Sequence, residues 1–447
     1  MAVVALVSVG VDARRHSEDG RRTLSDSTVA PLLSSEDADT IENSYIVVLK
    51  KDLSDEQLEA HHNLLATFLA QHGGLVDEGG QNELRHVYEM KGLRGYAGKF
   101  TDEVIDKVRS ASEVDFIERD STVYATATQY NAPWGLSRIS HRETLTFRTY
   151  SKYLYDPHGG EGITAYIVDT GVNIHHVDFE GRAVWGATIP TGDADEDGNG
   201  HGTHVAGTVA GKRYGVAKKA KIVAVKVLRS NGSGTMSDVL RGVQWVAEAH
   251  SLAERKKTGA DKKRTASVAN MSLGGGFSRS LNIAVDSAVE AGVHFAVAAG
   301  NDNRDACQYS PASAEKAVTV GATAITDTRA WFSNYGKCTD VFAPGKDITS
   351  TWIGSRTATN TISGTSMASP HVCGLMAYLL SLEPNPAEIT PAQLKDKIIA
   401  MSTKGIIEDV PADTKNLLVF SDPPATLQSG NWLGWVKTIV DKFTIVL

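Results

Sequence analysis

From Gly162 onward, short apolar runs alternate with stretches of helical apolar spacing, and this rhythm admits few architectures. Residues 163–168, 221–227, 267–271, 294–298 and 317–320 read as strands, rich in β-branched and small apolar residues. Between them, residues 204–210, 237–249, 280–291 and 369–381 space their apolar side chains as helices do. Regular alternation implies right-handed crossovers and a mainly parallel sheet covered by helices on both faces. The expected fold class is α/β. Ligands of such sheets bind beyond the carboxyl ends of the strands. Asp169 ends one strand run, and the segments at Ser272 and Asn301 follow two others, so the topology brings all three to one edge.

That edge receives the residues of nucleophilic catalysis. Ala165-Tyr166-Ile167-Val168-Asp169-Thr170-Gly171 places a carboxylate at a strand end. Asn199-Gly200-His201-Gly202-Thr203-His204 supplies an imidazole among small residues, and Ser363-Gly364-Thr365-Ser366-Met367-Ala368-Ser369-Pro370 a hydroxyl where strand gives way to helix. A serine hydroxyl is a weak nucleophile until a positioned base takes its proton, and a carboxylate fixes that base's tautomer. Alone, Ser366 reads equally well as a helix cap and Asp169 as a turn residue. Pro370 suits the first turn of the following helix. An esterase of the α/β-hydrolase kind would need its acid and histidine after the serine, and only His371 follows. His201 and His204 lack the spacing and intervening Glu of a zinc-protease pair, so His204 is read as structural. Asp193, Asp195 and Asp197 begin like an EF-hand, but its bidentate Glu position is His204, and these acids are read as a solvated loop.

The amino-terminal part is organised differently. Residues 44–50 read as a strand, 55–72 as a helix capped by Ser54, 83–90 and 93–100 as strands, 101–112 as a helix capped by Thr101, and 114–123 as a strand. This β-α-β-β-α-β order is the ferredoxin-like, split βαβ pattern of a small α+β domain. Residues 1–13 are apolar but short, without a basic lead; a truncated signal segment is the preferred expectation and a disordered start the alternative. Residues 14–43 are polar and expected to be disordered.

Read together, the Asp, His and Ser segments resemble the subtilisin-like serine proteases of the proteinase K branch, most closely the fungal vacuolar, cerevisin-type enzymes. The order Asp, His, Ser is theirs. Further matching runs are Ala132-Pro133-Trp134-Gly135-Leu136, residues 225–238 and Asn270-Met271-Ser272-Leu273-Gly274-Gly275-Gly276. The resemblance covers residues 45 to 420 almost unbroken. It implies a serine endopeptidase with Ser366 as nucleophile, His201 as base and then acid, and Asp169 as orienting carboxylate. The Asn301 amide and the Ser366 N–H would hold the oxyanion. Gly232, Ser233 and Gly234 would form one substrate-binding edge, and Ser272, Leu273 and Gly274 the other, pairing with substrate as an added strand. Gly274 to Gly276 with Ala298, Ala299 and Gly300 would shape a roomy, uncharged pocket for an aromatic or large aliphatic residue. No acidic residue in these runs suits a dibasic substrate.

The resemblance divides the chain into a leader (1–43), an inhibitor propeptide (44–124) that chaperones folding and plugs the cleft, a peptidase domain (125–421) and a tail (422–447). It places self-cleavage after Tyr124, with Ala125 as the new amino end. It pairs Cys307 with Cys338; two buried thiols are the lesser alternative. Cys373 reads as a small core residue. No cofactor is required; the resemblance leaves room for a structural calcium on Asp340, with the carbonyls of Glu315 and Ala317, although the family's proline at position 315 is absent. The thiol that many relatives carry after the second His is Val205 here.

Composition narrows the partners. A net charge of −8 supplies no basic stripe for nucleic acid, and no stretch reaches the roughly 18 apolar residues of a membrane helix. Three cysteines do not make a disulfide scaffold. The expected partners are protein or peptide substrates and the chain's own propeptide, and a monomer in the vacuole or outside the cell is expected. Asn231 and Asn270 head glycosylation sequons, the first in a loop and the second in a buried-looking strand. The tail's Trp432, Trp435, Val436, Ile439, Val440 and Phe443 could line one helix face that packs on the body, touches a membrane surface, or is removed. Related mould proteases are allergens, but nothing in these residues establishes IgE binding.

Overall fold

A computed structural model describes residues 29–34, 40–71, 82–90, 92–121, 127–256 and 266–423. The chain divides into two units, Met1–Val123 and Tyr124–Leu447. In the first, β1 (Leu32–Leu33), β2 (Thr40–Leu49), β3 (Glu83–Met90), β4 (Leu93–Lys99) and β5 (Val114–Ser121) form one sheet in the order β1-β5-β2-β4-β3. Helices α1 (Asp55–Gln71) and α2 (Asp102–Arg109) follow β2 and β4, giving the ferredoxin-like arrangement. Its core gathers Tyr45, Val47, Tyr96, Phe100, Val104 and Ile117.

Ser54 opens α1 through a reciprocal cap: its Oγ accepts from Gln57 N at 3.3 Å, and its own N–H donates to Gln57 Oε1 at 2.9 Å. Thr101 occupies the N-cap position of α2, yet its side chain makes no capping bond. The expectation of disorder up to Asn43 fails for two short pieces. Leu32 and Leu33 pair in parallel with Ile117 and Glu118, and β2 begins at Thr40. Leu32 packs on the domain core, so an apolar pair inside a polar stretch is enough to recruit a strand.

The second unit is built on a nine-stranded sheet. In chain order its elements include β6 (Ala127–Tyr130), α3 (Trp134–Ile139), β7 (Lys152–Tyr155), β8 (Thr164–Asp169), β9 (Ala183–Thr188), α4 (His201–Ala210), β10 (Lys221–Lys226), α5 (Met236–Lys256) and β11 (Ser267–Met271). There follow β12 (Gly275–Gly276), α6 (Arg279–Glu290), β13 (His294–Ala298), β14 (Tyr309–Ser310), β15 (Val318–Thr323), β16 (Val341–Pro344), β17 (Ile348–Thr351), β18 (Thr359–Ile362), α7 (Thr365–Leu382), α8 (Pro391–Met401), β19 (Thr403–Lys404) and β20 (Leu417–Leu418). The central order is β19-β20-β16-β15-β13-β11-β8-β10-β9, parallel except for the β19–β20 pair.

Alternate strand residues face opposite sides, and each side has its own helices. Ala165, Ile167, Ile222 and Ala224 join Val205 and Val209 of α4 and the apolar residues of α7. Tyr166, Val168, Val223 and Val225 join Val239 and Val243 of α5 and Leu281 and Val285 of α6. Both faces being covered explains why these strands read as continuous apolar runs rather than alternating ones.

Candidate active site

Asp169 is the last residue of β8 and is fully buried. Its Oδ1 accepts from Thr170 N at 2.7 Å and lies 2.8 Å from His201 Nδ1. His201 is the first residue of α4, three positions earlier than apolar spacing indicates. The helix starts there because Gly200 turns the chain with φ 101°, where a side chain would also strike the Trp352 ring. Gly202 lets the helix approach the Asp169 turn, since a Cβ would stand 2.1 Å from the Gly171 carbonyl oxygen.

Asp197, read above as part of a solvated loop, is buried and joins these two segments. Its Oδ1 accepts from Thr170 Oγ1 (2.9 Å), Asn199 N (3.1 Å) and Gly200 N (2.9 Å). Its Oδ2 accepts from Thr203 N (3.0 Å) and Thr203 Oγ1 (2.6 Å). Thr170 Oγ1 in turn accepts from Gly202 N at 2.9 Å. One carboxylate thus caps the histidine helix and locks it to the aspartate turn. An Asp just ahead of Gly-Asn-Gly-His is a helix-start signal, and this is the clue the sequence offers. Asp193 is no free loop acid either: it lies 3.6 Å from the buried Lys226 ammonium, which donates to Thr170 O at 2.7 Å.

Burial pulls the His201 pKa down, but the Asp169 charge and hydrogen bond, helped by the Asp197 charge, outweigh it and leave the imidazole above its ordinary value. His204 is different. Its Nε2 bonds to Ile348 O at 2.9 Å and burial lowers its pKa to about 4, so it is a neutral core residue. His371 is equally buried, with Nδ1 bonded to Met367 O at 2.8 Å and a pKa lowered by burial to about 4. Among the described residues no group of three His, Cys, Asp or Glu side chains could hold a metal.

Ser366 lies in the first turn of α7, which starts at Thr365. Pro370 is therefore inside the helix rather than in its first turn. Proline has no N–H for the carbonyl four residues back, which is Ser366 O. Ser272 Oγ donates to that carbonyl at 2.7 Å instead. Ser272 Oγ accepts from Asn270 Nδ2 at 2.8 Å, and Asn270 Oδ1 accepts from Ser369 Oγ at 2.8 Å. With both ends of its amide engaged and no exposure, Asn270 is unavailable to a glycan in the folded chain. The Ser366 hydroxyl itself donates to Ser272 O at 3.1 Å.

Asn301 stands beside Ser366, and its amide is oriented. Its Oδ1 accepts from Thr365 N (2.8 Å) and Thr365 Oγ1 (2.9 Å), which leaves Nδ2 to point outward. A Cβ built on Gly364 would lie 3.5 Å from Ser366 N and 3.6 Å from Asn301 Nδ2. Two potential donors therefore lie within 3.6 Å of one point beside Gly364. Ser366 N, in the first turn, has no intrahelical partner. Sequence reasoning misses Thr365, because a Thr beside a Ser carries no distinguishing signal.

Gly232 to Gly234 and Ser272 to Gly274 line a cavity of about 480 Å³ that reaches His201. Leu228, Met236, Val239 and Leu281 add apolar walls beside the polar Thr170, Asn199 and Thr235, with no acidic or basic residue apart from His201. Gly300 turns with φ 105° over Asn334, whose Nδ2 donates to Ala299 O at 2.9 Å. Ala299 does not line an open pocket: it is fully buried in a cluster with Ala306 and Ala312. Apolar strand ends read alike whether they face substrate or core, which is why the sequence misassigns it.

Cys307 and Cys338 are bonded. The Tyr124–Ala125 processing point lies outside the described residues, as do residues 1–28 and the tail beyond Pro423. Asp340 does not present an open calcium site, because its carboxylate and the Glu315 and Ala317 carbonyls are all engaged by lysine ammonium groups. Cys373, the third cysteine of the chain, is buried, and burial raises its pKa. With Val205 fully buried next to His204, no accessible thiol adjoins the histidine helix. Micromolar mercurials are therefore expected to leave activity essentially unchanged, and strong inhibition in a peptide-hydrolysis assay would contradict this.

An Asp169–His201 pair and a serine hydroxyl at a helix start, both beyond the carboxyl ends of a parallel sheet, are the ingredients of the serine-hydrolase class. Comparison with known proteins narrows it. Residues 160–418 match the subtilase family (peptidase S8), and residues 44–126 match the peptidase inhibitor I9 family. The chain is 56% identical over 412 residues to subtilisin-like serine protease Pen ch 18 of Penicillium rubens, covering 88% of this chain and 83% of that protein. It is 55% identical over 432 residues to a subtilisin-like protease of Coccidioides posadasii (strain C735), covering 90% and 86%. A crystal structure of a cold adapted subtilisin-like serine proteinase is similar, with 46% identity and a TM-score of 0.58, over 65% of this chain and 98% of that one. The chain belongs to the subtilase family and is a subtilisin-like serine protease carrying an I9 inhibitor propeptide.

Proposed function

We propose that the chain is a broad-specificity endopeptidase in which Asp169, His201 and Ser366 form the catalytic triad and Asn301 completes the oxyanion hole. The observation that carries this reading is the fully buried Asp169 held 2.8 Å from His201 Nδ1, on the same sheet edge as the Ser366–Asn301 pair. The Ser366 hydroxyl leaves Ser272 O, gives its proton to His201 Nε2 and attacks the peptide carbonyl. The oxygen, now negative, accepts from Ser366 N–H and Asn301 Nδ2. His201 then returns the proton to the leaving amine, and a water repeats the cycle on the acyl-enzyme. The Asp169 carboxylate stabilises the imidazolium.

Substrate binds as an added strand between the Gly232–Gly234 and Ser272–Gly274 segments. The uncharged cavity beside them supports a preference for apolar side chains. The propeptide inhibits the enzyme until the chain cuts itself after Tyr124, and the active protein is a monomer. The disulfide supports a route through an oxidising compartment to the vacuole or the exterior. Asn231 is exposed in the substrate edge, its Oδ1 held by Ser233 N and Oγ at 2.9 and 2.7 Å, and is the residue available for glycosylation.

A fluorophosphonate probe followed by peptide mapping tests the assignment. Modification of Ser366 in mature protein that begins at Ala125 is the expected outcome. Processed protein that hydrolyses peptides without labelling at Ser366 would remove the triad from consideration. Asn301→Ala is expected to lower kcat by about 10²–10³ with little change in KM, because the lost donor acts only on the oxyanion. Steady-state kinetics on a chromogenic peptide measures it.

A further inference from the structure

We propose that a lysine ammonium, that of Lys395, is the built-in cation of the Asp340 site, so that this part of the fold is held without calcium. Three oxygens converge there: the Glu315 and Ala317 carbonyls, just ahead of β15, and Asp340 Oδ2, just ahead of β16. Lys395 Nζ reaches them at 3.0, 2.7 and 2.8 Å respectively. An ammonium has three donors, and here it meets three acceptors. The other oxygen, Asp340 Oδ1, lies 3.1 Å from Lys415 Nζ. Asp340 Oδ2 also accepts from Thr319 N at 3.1 Å.

A calcium ion does not fit beside these groups. It would take about 6–8 oxygens at roughly 2.3–2.6 Å, and the protein oxygens that face this point already serve two ammonium groups. Entry would set two further positive charges against Lys395 and Lys415 with a single carboxylate between them, a repulsion only partly screened at a site this buried. The backbone that carries Lys395 is anchored close to these oxygens. Lys395 rides on α8, which is fixed by the buried Leu394 and Ile398 and opened by a full capping box between Thr390 and Gln393. The ammonium therefore ties α8 to the amino-terminal ends of two neighbouring parallel strands, which pair through Val320 and Val341. That is the edge of the sheet opposite the triad. The consequence is a protease whose fold at this point is insensitive to the free calcium level and to chelators.

The test is thermal unfolding of mature protein, sulfonylated with phenylmethylsulfonyl fluoride to stop autolysis, in millimolar calcium and in EDTA. Lys395→Met is expected to lower the apparent midpoint by roughly 5–10 °C in both media, because it leaves Asp340 short of a partner. Asp340→Asn is expected to keep whatever calcium increment the wild type shows, since any such increment arises elsewhere. An unchanged midpoint in Lys395→Met, or loss of the wild-type increment in Asp340→Asn, would overturn the proposal. A second measurement needs no variant. Brief acylation with sulfo-NHS-acetate should modify Lys395 at least tenfold less than the exposed Lys212, equally in calcium and in EDTA. Lys395 labelling that rises with calcium would mean that the metal displaces it, and would equally overturn the proposal.

Discussion

Ser366→Ala is expected to reduce turnover by about 10⁶ and to leave the chain as an uncut precursor. The first effect follows because a methyl cannot attack, and without attack His201 and Asn301 have nothing to act on. The second follows because the same serine is proposed to make the cut after Tyr124. Folding should survive. Among the described residues the Ser366 side chain makes one hydrogen bond, to Ser272 O, while the structural bond at this position runs from Ser272 Oγ to the Ser366 carbonyl and is kept by alanine. The variant should therefore be soluble, full length and close to wild-type precursor in thermal midpoint. Added mature wild-type enzyme should cut it in trans, which separates loss of chemistry from loss of a cleavable linker. Gel analysis and amino-terminal sequencing read the result. A purified Ser366→Ala chain that begins at Ala125 without added protease would show that processing does not depend on this serine.

Much of this site is legible in the amino-acid sequence because it depends on strand ends. Period and composition place β8, β10, β11 and β13 correctly, and a parallel sheet gathers such ends whatever the details of packing. Helix starts are less legible. Apolar spacing begins late in α4 and α7, since their first turns carry Gly, Thr and Ser for closeness and hydrogen bonding rather than for burial against the sheet. His201 and Ser366 lie in those first turns. The polar supports are hidden for a related reason. Asp197, Thr170 and Thr365 act through distances between segments far apart in the chain, and a single sequence records no such distance. Asp340 shows the same limit from the opposite side. Its carboxylate matches a metal ligand by position, but only the fold brings Lys395 within reach of it.

Asp169→Asn separates two tasks that the sequence cannot distinguish, orienting His201 and supplying charge to it. An asparagine could turn its amide and hold the imidazole in the wrong tautomer. Here that turn is opposed, because Oδ1 accepts from two groups, Thr170 N–H at 2.7 Å and His201 Nδ1 at 2.8 Å, whereas Oδ2 has no hydrogen-bond partner among the described residues. The amide oxygen should take the Oδ1 place and the NH₂ the place of Oδ2, keeping the ring oriented and removing only the charge. Even so, kcat/KM is expected to fall by about 10³–10⁴, as the imidazolium formed during attack loses its stabilising carboxylate. The pH profile gives the sharper reading. Only neutral His201 can accept the serine proton, so wild-type kcat/KM should rise with pH through a pKa above the ordinary 6.5. Burial lowers that pKa, while the Asp169 charge and hydrogen bond raise it beyond compensation. Removing the charge leaves burial dominant, and the acid limb should move to lower pH while the plateau drops. A variant within tenfold of wild type, or one whose acid limb stays in place, would mean that orientation rather than charge is what Asp169 contributes.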